Sequence, residues 1–205
     1  LKTLIKLSKP DKKVKTIFVW PEGVFNKTEM DNLKKYQSIF KENFSEMHLI
    51  IFGINNSYYQ NTFNSLAVVN NNLDVIEFYN KNNLVPFGEF LPLEAVLKTL
   101  GVKTITNFYN SYTAGNKRDL INLHNQEFDI SFLPLICYEI IYSGNLSKKN
   151  NYDLIVNISE DGWFGKSIGP YQHFSHSIFR SIEEGKSIIR STNNGTSAFI
   201  DPYGQ

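Results

Sequence analysis

Three short segments place a reactive polar side chain directly after an apolar run. Cys137, the single cysteine of the chain, follows Phe132-Leu133-Pro134-Leu135-Ile136 and precedes Tyr138-Glu139. Glu22 follows Ile17-Phe18-Val19-Trp20-Pro21, and Lys81 follows Val75-Ile76-Glu77-Phe78-Tyr79-Asn80. A strand that delivers one thiol to a sharp turn suits a nucleophile, and a nucleophilic thiol needs a base and a charge partner. A thiol with a pKa of about 8.5 is mostly protonated at neutral pH. A nearby carboxylate can take its proton as it attacks an ester carbonyl. A lysine ammonium, with a backbone N–H near the nucleophile, can stabilise the oxyanion that forms. Each residue alone has a plain explanation: a buried core thiol, a carboxylate on a surface turn, a solvated lysine. The three together point to acyl-transfer chemistry.

The elements that must position them are those of one α/β domain. The 205 residues, 41% hydrophobic and 20% charged, are enough to bury a sizeable core. The net charge of +1 gives no case for a nucleic-acid partner. Six of the first 15 residues are lysines against one acid, Asp11, a pattern expected of a solvated terminus. A lone cysteine excludes an internal disulfide framework and a cysteine-rich metal site. His173 and His176 have no acid or cysteine at metal spacing and read as non-ligands; no metal or cofactor is called for. No apolar run approaches the roughly 20 residues that span a bilayer.

Residues 14 to 20 and 47 to 54 read as buried strands around a helical period at Met30, Leu33, Tyr36 or Gln37, Phe40 and Phe44. Glu22 then lies past the C-terminal end of a strand, where open α/β sheets place ligands. Residues 63 to 70 and 73 to 78 flank an Asn-rich turn and read as a hairpin. Leu93, Val96, Leu97 and Leu100 form the stripe of a short helix ended by Gly101. Residues 102 to 126 read as a long binding loop or lid. Beyond Cys137 the sequence predicts a brief helix, a strand at 154 to 158, a polar-aromatic loop at 159 to 171, a helix at 173 to 185, and strands at 187 to 190 and 196 to 200. Arg190 is expected to brace the turn after it or nearby acids.

Trp20-Pro21-Glu22, residues 81 to 92 (KNNLVPFGEFLP), Cys137-Tyr138-Glu139-Ile140, residues 163 to 172 (WFGKSIGPYQ) and residues 190 to 195 (RSTNNG) form a specific set in this order and spacing. Together they resemble the apolipoprotein N-acyltransferase branch of the nitrilase (carbon-nitrogen hydrolase) superfamily, over nearly the whole chain. One departure is Glu160-Asp161-Gly162, where the family often has Asn-Asp-Ala.

The resemblance implies that residues 1 to 205 form one catalytic domain with a four-layer αββα sandwich, short of its first strand at the N-terminus. It places Glu22 at the general base, Lys81 at the catalytic lysine, Cys137 at the nucleophile and Glu89 at a further essential glutamate. Tyr138 and Glu139 match residues beside the nucleophile that the transferase branch needs. Phe87 and Gly88, flanking Glu89, are expected in a pocket wall or movable flap, and Trp163 in an apolar loop that meets substrate or lipid. The implied reaction moves an acyl chain from a phospholipid, through a cysteine thioester, to the α-amine of an N-terminal diacylglyceryl-cysteine on a lipoprotein. The implied setting is the periplasmic side of the bacterial inner membrane, with transmembrane helices flanking this domain. The alternative is a soluble nitrilase-type amidase that hydrolyses a small amide at the same Glu-Lys-Cys site. A non-catalytic interaction module would be expected to lack one of the three, and all are present.

Overall fold

Alternation along one strand sets the layering. In β2 (His48–Tyr58), Ile50, Phe52 and Ile54 join one buried cluster while Leu49 and Ile51 join another, as the period of two in a strand dictates. The structure, a computed structural model, describes residues 1–25, 27–93, 111–124, 127–144, 146–147 and 151–205.

β2 is paired in parallel by β1 (Thr16–Val19) and antiparallel by β3 (Asn61–Val69), which pairs with β4 (Val75–Asn80). The second sheet runs β5 (Ile121–His124), β6 (Asp129–Ile136), β7 (Leu154–Glu160), β8 (Ser187–Asn193), β9 (Ala198–Ile200). Its central strands β6, β7 and β8 are parallel and its outer pairs antiparallel.

The outer face of the first sheet packs on Ile5 of α1 (Lys2–Ser8) and on Leu33, Phe40 and Phe44. Between the sheets, Leu49, Ile51, Leu66 and Val68 meet Phe132, Ile136, Val156 and Ile158. The outer face of the second sheet, Leu133, Leu135, Ile155 and Ile188, packs under Phe174 and Ile178. The order helix, sheet, sheet, helix is the four-layer α/β sandwich.

Several elements differ in detail from the sequence expectation. The period from Met30 to Phe44 is a 3-10 helix (Met30–Tyr36) followed by α2 (Gln37–Asn43), although Leu33, Phe40 and Phe44 are buried as expected. The helix expected from 173 begins earlier, as α3 (Gly169–Glu184), because Pro170 suits a first turn. The Asn-rich turn closes the β3–β4 hairpin, with Asn70 Oδ1 accepting from the backbone N–H groups of Asn72 and Asp74. Strand β5 lies inside the segment read as a loop. The expected helix at 93 to 100 lies, beyond Leu93, outside the described residues.

Phe52 is fully buried, with its ring 4.8 Å from Phe25 and 6.3 Å from Trp20. It therefore backs the segment that carries Glu22. Phe52→Ala is expected to lower the unfolding free energy by about 3–5 kcal/mol, measured by urea denaturation; an unchanged midpoint would contradict this packing.

Candidate active site

Glu22 comes first in the chain. β1 ends at Val19, and Trp20 is locked by its N–H donating to Ile51 O (2.8 Å) and its indole Nε1 donating to Ser8 Oγ (2.9 Å). Pro21 then turns Glu22 over the middle of β2. There Gly53 is required, since a Cβ at 53 would sit 2.9 Å from Glu22 Cα. Glu22 Oε1 accepts from Asn64 Nδ2 (2.7 Å) and Oε2 from the backbone N–H of Glu160 (3.0 Å). Burial raises its pKa above the ordinary carboxylate value. Lys81 opposes this rise, Glu89 adds to it, and the two hydrogen bonds oppose it.

Lys81 follows the last residue of β4 and is 1% exposed. Its backbone is tied on both sides: its N–H donates to Asn64 O and its carbonyl accepts from Gly115 N–H, both at 2.8 Å. A Cβ at Gly115 would overlap the Asn80 carbonyl, so that approach needs glycine. The ammonium lies 2.9 Å from each oxygen of Glu89. Burial alone would lower its pKa; the carboxylates of Glu89 and Glu22 outweigh that and hold it above the ordinary lysine value. Glu89 is fixed from its own turn, where Oε2 accepts from Val85 N–H (2.9 Å) and its N–H donates to Val85 O (2.8 Å). Asn64 Nδ2 also donates to Glu89 Oε1 (2.8 Å). Two carboxylate acceptors on one side of the amide require its NH2 there.

Cys137 sits where β6 gives way to a 3-10 turn (Cys137–Ile141), with φ of 48°. A left-handed conformation at a non-glycine residue costs about 1–3 kcal/mol and persists where the surroundings over-determine it. Glu139, fully buried, is one such determinant. Its Oε2 accepts from Ile136 N–H (2.9 Å), and its Oε1 accepts from Tyr79 OH (2.7 Å) and from the N–H groups of Asn82 and Asn83 (both 3.0 Å). Glu139 thus ties the turn that holds Cys137 to the turn after Lys81. Burial pushes the Cys137 thiol up to about 12, and Glu22 adds to this; Lys81 and a hydrogen bond with Ser159 offset it in part.

Glu22, Lys81, Glu89, Cys137, Tyr138, Gly88 and Trp163 all line one cavity of about 770 Å³. Glu139 lies beneath it and is not among its lining residues. Phe87 is 47% exposed and outside the lining as well. The positive φ in that turn falls on Phe87, at 62°, and not on Gly88. Asn64 went unrecognised in the sequence because an asparagine mid-strand carries no local signal. Tyr112, whose OH donates to Asn55 Oδ1 (2.9 Å) and which also lines the cavity, belongs to the 102 to 126 segment that reads as a binding loop or lid, with no motif to single it out. Behind Cys137, Arg190 donates to Asp161 Oδ2 (2.8 Å), and His173 Nδ1 lies 2.8 Å from Asp161 Oδ1. Arg190 thus braces an acid, as its position before the turn suggests. Among the described residues no group of three or more His, Cys, Asp or Glu is placed to hold a metal ion.

A paired-sheet sandwich with a cysteine, a lysine and two carboxylates in one cavity defines a class, that of the nitrilase-type enzymes. The family model for carbon-nitrogen hydrolase matches residues 31–205, and the chain belongs to that family. Curated relatives include the apolipoprotein N-acyltransferase of Bradyrhizobium diazoefficiens, 42% identical over 144 residues, which cover 70% of this chain and 26% of that protein. That of Wigglesworthia glossinidia brevipalpis is 34% identical over 211 residues, covering 100% of this chain and 42% of the other. The chain therefore spans less than half the length of these relatives. Solved structures with the same fold include a CN-hydrolase superfamily protein from Xanthomonas campestris, with TM-score 0.65 and 14% identity, covering 100% of this chain and 76% of the other. An amidase from Nesterenkonia sp. AN1 has TM-score 0.64 and 10% identity, covering 100% of this chain and 75% of the other.

A thiol held at about 12 is almost wholly protonated at neutral pH, and alkylation proceeds through its small thiolate fraction. Alkylation of Cys137 by iodoacetamide is expected to keep rising past pH 10, without levelling near the ordinary value of about 8.5. Glu22 disfavours the thiolate, so Glu22→Gln is expected to move the midpoint down. A wild-type midpoint near 8.5, or an upward shift in the variant, would contradict the electrostatics described.

Proposed function

We propose that the chain is the catalytic domain of an apolipoprotein N-acyltransferase, with Glu22 as general base, Lys81 as oxyanion partner and Cys137 as nucleophile. The observation that carries the reading is the meeting of these three side chains in one cavity, with Glu89 and Asn64 fixing the first two. Glu22 takes the thiol proton as Sγ attacks the ester carbonyl of a phospholipid. A carboxylate whose pKa burial has raised suits that task at neutral pH. Lys81 and the backbone N–H of Tyr138 hold the oxyanion. The carbon–oxygen bond to the lysophospholipid breaks, its oxygen regains the proton from Glu22, and the acyl group remains on Cys137 as a thioester. The α-amine of a diacylglyceryl-cysteine then attacks the thioester. Glu22 takes the amine proton and returns it to the departing sulfur.

A lipid substrate is supported by the rim of the cavity. Trp163 and Phe164 line it and are 61% and 40% exposed, and Ile168 and Tyr171, also exposed, follow on the same segment. Exposed apolar clusters of this kind mark lipid or partner contact. Among the described residues no helix is long and apolar enough to cross a membrane, so in this reading membrane attachment comes from parts of the protein beyond this domain. The domain then works at the periplasmic face of the inner membrane.

The test is intact-protein mass spectrometry of the full-length gene product incubated with phospholipid. An acyl mass is expected on the wild type, lost on hydroxylamine treatment and absent in Cys137→Ser. Addition of a diacylglyceryl-cysteine peptide is expected to discharge it into an amide product. Glu22→Gln and Lys81→Met are each expected to slow acylation by ~100-fold or more. No adduct on an otherwise active enzyme would overturn the thioester route, and discharge only to free acid would favour the amidase reading.

A further inference from the structure

A second buried polar group lies beside the nucleophile, with His173 lining the same cavity and Asp161 and Arg190 outside its lining, and the chemistry above does not use it. Asp161, Arg190 and His173 are 0%, 2% and 3% exposed. They come from three places: the 3-10 turn after β7 (Asp161–Phe164), β8 and α3. Asp161 Oδ1 accepts from Ser159 Oγ (2.7 Å) and faces His173 Nδ1 (2.8 Å), while Oδ2 accepts from Arg190 (2.8 Å). The other arm of the Arg190 guanidinium donates to Asn157 Oδ1. Burial alone would raise the pKa of Asp161; His173, Arg190 and Ser159 outweigh it and hold the carboxyl at about 2. The group is charged, buried and tied to two adjacent strands, so it holds His173 rigidly.

The far nitrogen of that imidazole meets the nucleophile itself: His173 Nε2 lies 3.2 Å from the carbonyl oxygen of Cys137. A carbonyl only accepts, so Nε2 donates in this contact; the Asp161 carboxylate oxygen also only accepts, so Nδ1 donates to it, and each ring nitrogen supplies one N–H to one partner. Nε2 is then not a free base. The carbonyl of residue 137 and the N–H of residue 138 belong to one planar unit and point opposite ways. Opening residues of a 3-10 turn have no partner for their N–H groups within the turn.

We propose that His173, anchored by Asp161 and Arg190, is a positioning residue that fixes the 137–138 peptide plane and so aims the Tyr138 N–H at the oxyanion. It also offsets the cost of the left-handed backbone at Cys137. The inference rests on the thioester reading.

The test compares two reactions of the same thiol in the full-length protein. Acylation by a p-nitrophenyl ester passes through an oxyanion; alkylation by iodoacetamide does not. His173→Ala is expected to slow single-turnover acylation by ~100-fold, the scale of one oxyanion donor, while alkylation stays within about threefold of wild type. His173→Gln, which retains a donor, is expected to recover most of the acylation rate. If His173→Ala does not fold, His173→Leu, closer in volume, takes its place. Acylation and alkylation falling together in a folded variant, or acylation unchanged, would overturn the inference. Failure of wild-type Cys137 to acylate would instead overturn the thioester reading.

Discussion

The site depends on one constraint: a lysine ammonium buried to 1% exposure must be matched by carboxylates. Removing an ammonium from water costs several kcal/mol, repaid only by close, well-aligned opposite charge. Glu89 supplies this at 2.9 Å through both oxygens. Glu89 in turn must be held, and its own turn does so through Val85, while Asn64 links it to Glu22. A single buried charge thereby sets the places of Glu89, the bridging Asn64 amide and Glu22. The same field keeps Glu22 from rising further and restrains the thiol of Cys137.

The two sheets bring these groups together because each contributes strand ends to the same edge. Glu22 lies past β1, Lys81 past β4 and Cys137 past β6, and Glu160 at the end of β7 donates its N–H to Glu22. Ligand sites outside the carboxyl ends of parallel strands are a general property of open α/β sheets. Two buried carboxylates hold the seams. Glu139 joins the β4 turn to the β6 turn, and Asp161 joins the β7 turn to β8 and α3. Sequence spacing places both in motifs, and only the fold reveals that each acts mainly on backbone and neighbouring side chains.

What was legible in the sequence was whatever a strand announces locally. Cys137, Glu22 and Lys81 each follow an apolar run, and the continuous apolar runs of β2 and β6, buried on both faces, are legible directly. Asn64 could not, because its role comes from register: it lies opposite Asn55 in the β2–β3 pair, with nothing local to mark it. β5 was masked by the polar composition of its surroundings, although Ile121 and Leu123 alternate with Asn122 and His124 and are buried. The stripe from Met30 to Phe44 gave the buried face correctly but could not distinguish one α-helix from a 3-10 helix joined to a shorter α-helix. Both present Leu33, Phe40 and Phe44 to the sheet.

A double-mutant cycle across Lys81 and Glu89 measures whether the buried pair organises the site. Unfolding free energies would be measured for wild type, Lys81→Met, Glu89→Gln and the double variant, with thioester formation followed in each. Each single change leaves a buried group without its partner and is expected to cost about 3–5 kcal/mol, whereas the double change costs less than the sum by at least about 2 kcal/mol. Thioester formation is expected to slow by ~100-fold or more in all three variants. Additive stability losses, or an active Lys81→Met enzyme, would show that the pair does not organise the site.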